Sequence, residues 1–106
     1  MSATSPTDRV FAALSDPTRR DVLERIGTAG EASATQLARD LPISRQAIAK
    51  HLTSLAGAGL IADRRSGREV LYRVTPAPMS GAMSWMATVG AQWDDRLASL
   101  RRHLGG

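Results

Sequence analysis

The segment Ile43 to Leu60, ISRQAIAKHLTSLAGAGL, most restricts what this chain can fold into, because both ends are marked and the interior has one period. Ser44 suits an N-cap, where its hydroxyl accepts from a backbone N–H that the first helical turn leaves free. Ile43 before the cap and Ile48 at the fourth helical position fit a hydrophobic staple. Gly59 can take the left-handed conformation that ends a helix, and Leu60 can close over the last turn. Between these signals Ile48, Leu52 and Leu55 form one apolar stripe at helical spacing. The other face carries Arg45, Gln46, Ala49, Lys50 and Thr53, small or polar residues able to approach a base edge or a phosphate. The spacing predicts a DNA recognition helix.

The flanks support that expectation. Ser33-Ala34-Thr35-Gln36 has the form of a capping box and opens a short helix with Leu37 and Leu41 inward, stopped by Pro42. Two helices joined by so tight a turn make a helix-turn-helix. After Gly59 the period changes to two. Residues 60–65 and 69–74 are predicted as strands, with Ser66-Gly67 as the hairpin turn. Arg64, Arg65 and Arg68 crowd its tip, as expected of a wing against a phosphate backbone.

Charge follows the same boundaries. Residues 44–73 hold six basic and two acidic side chains, a net +4, which equals the charge of the whole chain, so the remainder is neutral. A basic excess confined to one block is the footprint expected of a nucleic-acid contact. Aromatics make up only 4% of residues, which disfavours single-strand binding by stacking. The chain has no cysteine, so disulfides and thiolate metal sites are excluded. No apolar run approaches the ~20 residues that span a bilayer. The reading is therefore a cytoplasmic protein without a membrane partner. No catalytic constellation or phosphate-cradling loop is visible, so an enzyme is not expected, nor a cofactor.

The rest of the chain reads as helix. Residues 1–7 are expected to be a disordered tail, and residues 8–104 one domain. Val10, Phe11 and Leu14 mark a first helix from Asp8. Asp16-Pro17 opens a second that Gly27 and Gly30 end. Thr75 is expected to cap a long last helix reaching Leu104, with Met79, Met83, Met86, Gly90, Trp93, Leu97, Leu100 and Leu104 in a row that Trp85 and Val89 widen. That is more apolar surface than the short helices can cover. Val10, Phe11, Met83, Met86, Gly90, Trp93, Leu97 and Leu100 are accordingly expected at a homodimer interface. The predicted fold is mainly α with a small β-hairpin, a winged helix-turn-helix in the order α-α-α-α-β-β-α.

Three pieces of the chain, in this order and spacing, resemble the ArsR-type winged-helix transcriptional repressors: Leu14-Ser15-Asp16-Pro17-Thr18-Arg19-Arg20, the block centred on Lys50-His51-Leu52, and Gly67-Arg68-Glu69-Val70-Leu71-Tyr72-Arg73-Val74. The resemblance runs from Val10 to Leu104. It implies a homodimer that binds a palindromic operator in double-stranded DNA and represses. Metal-sensing members carry a cysteine pair on the helix before the recognition helix, and Gln36 to Leu41 offers none. Others use histidines and carboxylates, and here only His51 and His103 exist. The chain looks more like the cysteine-free, metal-independent branch, with no metal ligands assigned and any small-molecule effector left open.

The residues expected at DNA are Ser44, Arg45, Gln46, Ala49, Lys50, His51, Thr53, Arg64, Arg65 and Arg68. His51 lies beside the apolar stripe and reads as a partly buried structural or phosphate-contacting histidine. Arg19 and Arg20 are left between pairing with Asp16 or Glu24 and touching DNA. Two competing readings are a protein-interaction module that only dimerises and an effector- or metal-responsive sensor.

Overall fold

The computed structural model describes residues 5–104. Its helices are α1 (Pro6–Leu14), α2 (Pro17–Ala29), α3 (Ala34–Asp40), α4 (Arg45–Gly57) and α5 (Ala77–Leu104). Its strands are β1 (Ala32–Ser33), β2 (Ile61–Ser66) and β3 (Glu69–Val74), in the sheet order β1-β3-β2, all antiparallel. The winged helix-turn-helix follows, with one strand that the sequence did not announce. β1 is two residues long and pairs Ala32 with Tyr72 and Ser33 with Leu71. So short a segment has no period of its own, and only pairing with β3 makes it a strand.

Local chemistry sets the helix ends. Ser33 Oγ accepts from Gln36 N–H at 3.2 Å while Gln36 Oε1 accepts from Ser33 N–H at 2.8 Å, completing the capping box. Ser44 Oγ accepts from Ala47 N–H at 3.1 Å. At the other end of α4, Gly59 has φ +75°, and Leu60 N–H reaches Leu55 C=O at 3.0 Å in a Schellman closure.

Four boundaries differ from expectation. Residues 1–4 of the expected tail lie outside the described residues, but Ser5 caps α1 by accepting from Asp8 N–H at 3.0 Å, and Pro6 and Thr7 are already helical. α2 runs through Gly27 and ends at Gly30, φ +83°, because burial of Ile26 and its neighbours outweighs the ~1 kcal/mol helical cost of one glycine. The hairpin loop is Gly67-Arg68 rather than Ser66-Gly67. Gly67 has φ +63°, as the first position of a type II′ turn requires, so Ser66 pairs with Glu69. Thr75 does not cap α5: its Oγ1 is buried with no hydrogen-bond partner among the described residues, and its N–H is drawn to Leu60 C=O at 2.8 Å.

The core collects Val10, Val22, Leu23, Ile26, Leu37, Ile48, Leu52, Leu55, Leu60, Ile61 and Ala82 from nearly every element. α5 contributes little to it. Ala82 is its one buried residue, and Met79 packs partly against the core. The remainder of α5 extends from the body, giving a molecule 67 × 33 × 22 Å. Among the described residues no helix is long and apolar enough to cross a membrane.

Candidate nucleic-acid interface

The inner stripe of α4 anchors it: Ile48, Leu52 and Leu55 are buried. The same rotation leaves Arg45, Gln46, Ala49, Lys50 and Thr53 exposed on the outer side, with the Ser44 cap exposed at its start. Thr53 Oγ1 donates to Ala49 C=O at 3.0 Å, which commits its hydroxyl proton to the backbone. Ala49 and Thr53 can therefore offer methyl groups, suited to a thymine methyl, beside the amide of Gln46, suited to adenine. His51 is half-buried, and its Nδ1 is buried with no hydrogen-bond partner among the described residues.

Strand alternation divides the wing arginines. Residues directly opposite in an antiparallel pair share a face, and neighbours along a strand do not. Arg65 pairs with Val70 and Asp63 with Tyr72, on one face; Arg64 pairs with Leu71, on the other. Arg64 turns to Glu31, just before β1, where Nε donates to Oε2 at 2.6 Å and Nη2 to Oε1 at 2.8 Å. This is the only ion pair among the described residues. The Arg64 guanidinium holds the Glu31 carboxyl below its ordinary range, and Glu31 in turn raises Arg64. Of the three tip arginines expected at DNA, Arg65 and Arg68 carry no ion pair among the described residues, whereas Arg64 is bound to the body. No local pattern could have exposed Glu31, a single acidic residue in a loop distant in sequence.

Arg19 and Arg20 pair with neither Asp16 nor Glu24. Their Nη1 atoms donate to Ala13 C=O at 3.3 Å and Leu14 C=O at 2.6 Å, covering carbonyls that the end of α1 leaves free. Asp16 Oδ1 accepts from Thr18 and Arg19 N–H at 2.8 and 3.2 Å as the cap of α2. Those bonds, Arg19 N–H first, lower its carboxyl pKa.

Of the residues expected between subunits, Val10 is corrected. It is 1% exposed and belongs to the core of its own chain, because α1 turns that side inward. Phe11, its neighbour, faces out and meets Trp85 edge-on, with centroids 5.7 Å apart at 66°. Met83, Met86, Trp93, Leu97, Leu100 and Leu104 are all exposed. Gly90 opens on free space. Arg96 lies over the Trp93 ring, 5.8 Å from its centroid. His103 Nδ1 lies 3.1 Å from Ser99 C=O. Among the described residues no three metal-ligating side chains gather.

Comparison with known proteins agrees with this geometry. A family model described as a helix-turn-helix domain matches residues 14–64. The chain is 40% identical to the HTH-type transcriptional regulator Rv2034 of Mycobacterium tuberculosis, over 76% of this chain and 74% of that protein. It is 34% identical to the transcriptional repressor SdpR of Bacillus subtilis, over 74% of this chain and 87% of that one. Among solved structures it is similar to an ArsR-like transcriptional regulator from Rhodococcus sp. RHA1, with 43% identity, a TM-score of 0.82 and coverage of 92% of this chain and 91% of that one. These relatives are regulators, not enzymes. With an exposed polar helix face beside a basic wing, the chain belongs to the ArsR-type family of winged helix-turn-helix, DNA-binding transcriptional regulators.

Proposed function

We propose that the protein is a cytoplasmic, homodimeric repressor that binds a palindromic operator in double-stranded DNA. The carrying observation is that α4 presents Arg45, Gln46, Ala49, Lys50 and Thr53 outward on the same molecule whose α5 leaves a row of large apolar residues uncovered. A two-fold axis along α5 would bury that row and place two recognition helices on one face of a duplex. Ser44 at the helix start and half-buried His51 are assigned to phosphate positioning, as are Arg65 and Arg68. The chain is placed in the metal-independent branch on its lack of cysteine and its two separated histidines.

Selection of duplexes from a random-sequence pool, followed by footprinting, tests the reading. The expected result is an inverted repeat whose half-sites lie ~10 bp apart or a multiple of that, with affinity falling steeply as salt rises. Recovery of no sequence above background would overturn it. A thermal midpoint that rises on adding zinc would overturn the metal-independent assignment alone.

A further inference from the structure

Between α4 and the wing lies a trough made of two clefts that share Ala34 and Tyr72. Its two ends differ in charge. One end, about 250 Å³, is bordered by Arg45 from the first turn of α4 and Arg68 from the hairpin loop, with Thr35 at the start of α3 and Glu69 beside them. Two guanidiniums face one carboxylate there, and among the described residues none of these charges is spent in an ion pair. The other end, about 350 Å³, has a floor of small side chains, Ala49, Thr53 and Ala56, and a single charge, the carboxylate of Asp63. Asp63 is exposed and has no ion-pair partner among the described residues, inside the block that otherwise carries the positive excess. A carboxylate there is unfavourable for any polyanion laid evenly along the trough.

Resting on the DNA-binding reading above, we propose that this trough seats one sugar-phosphate strand of the bound duplex. Arg45 and Arg68 grip the same phosphate from two sides, one from the recognition helix and one from the wing. Asp63 repels phosphate at the far end and so sets the register of the strand. Arg45 is then an anchor, and base reading falls to Gln46, Lys50, Ala49 and Thr53. Because Asp63 keeps phosphate off the far end, the small floor residues there, Ala49 and Thr53, stay available to base edges.

The test uses the full chain and a duplex that the protein itself selects from a random pool. Each phosphate neutralised releases counterions and contributes about 0.9 to the slope of log affinity against log salt. If Arg45 and Arg68 share one phosphate, Arg45→Ala with Arg68→Ala together should lower the slope by about 0.9, whereas two separate phosphates would give about twice that. Uncharged methylphosphonate substituted at each phosphate in turn should reveal one position at which both single variants bind as well as the parent protein. Different positions for the two arginines, or altered base preference in Arg45→Ala, would overturn the shared grip. Asp63→Asn should tighten binding to random DNA more than to the selected duplex; weaker binding, or a changed base at one position, would overturn its role as a stop. All three side chains are exposed, so variants with the parent melting temperature are expected. If the parent protein selects no duplex, the DNA-binding reading itself has failed, which is a different outcome from additive slopes in a protein that binds.

Discussion

Arg64 holds both carboxylate oxygens of Glu31, at 2.6 and 2.8 Å, across the middle strand of the sheet. The pair ties the loop before β1 to β2 and leaves the outer face of the wing strapped to the body. It also means that Arg64 already has its countercharge. Arg64→Gln should therefore reduce the salt slope of DNA binding less than Arg65→Gln, which removes a free charge on the opposite face of the same strand. Equal reductions would show that Arg64 leaves Glu31 when DNA binds.

The same pair sets a pH limit. Arg64 holds the Glu31 carboxyl below its ordinary 4.5, and backbone N–H groups hold Asp16 below 3.8. A carboxyl with a depressed folded pKa contributes stability that is present above its unfolded value and lost as pH falls through the folded one. Thermal stability should thus stay level near neutrality with respect to these two groups and decline below about pH 4.5. Glu31→Gln should remove its part of that decline, which melting curves at several pH values would detect.

The capping box is expected to act as a unit. Ser33 is 4% exposed and exchanges two hydrogen bonds with Gln36. Ser33→Ala should destabilise the fold by about 1 kcal/mol. Gln36→Ala should cost less on its own, and the double variant less than the sum, since each single change already breaks the box. Urea titration of the four proteins measures this cycle, and strict additivity would contradict it.

Deep in the core, Ile48→Ala and Leu55→Ala should each cost about 2–5 kcal/mol. Both side chains are fully buried. Ala49→Gly, one position along the same helix but exposed, should cost only about 1 kcal/mol. Chemical denaturation that ranks these in another order would show that α4 is held differently.

On α5 the expected effect separates assembly from folding. Leu97 and Leu100 are 44% and 54% exposed. Leu97→Asp with Leu100→Asp should convert the proposed dimer to a folded monomer, with sedimentation velocity as the readout and helical content nearly unchanged. An unaltered sedimentation coefficient would place the dimer contact elsewhere, for instance on Phe11 and Trp85.

Much of the fold was legible because its signals are local. The Ser44 and Ser33 caps act on residues three positions away, and Gly59 ends its helix through its own φ angle. The stripe of Ile48, Leu52 and Leu55 repeats within a single helix. Less was legible at the site. Arg64 and Arg65 are chemically equal neighbours, and only sheet pairing decides that Arg65 shares a face with Val70 while Arg64, on the other face, finds Glu31. Val10 and Phe11 are likewise adjacent and apolar, yet one lies in the core and the other faces solvent, according to how α1 packs on α2 and α5.

By itself, then, the amino-acid order determined where α4 begins, where it ends and which side is buried, because those properties depend on groups within about one helical turn. It also determined a basic block of the right composition. Only the tertiary structure decided which of those charges are free, that Ala32 and Ser33 form a strand, and that Thr75 serves the Leu60 carbonyl instead of a cap. Each of these depends on a partner many residues away, and no local period or cap records such a partner.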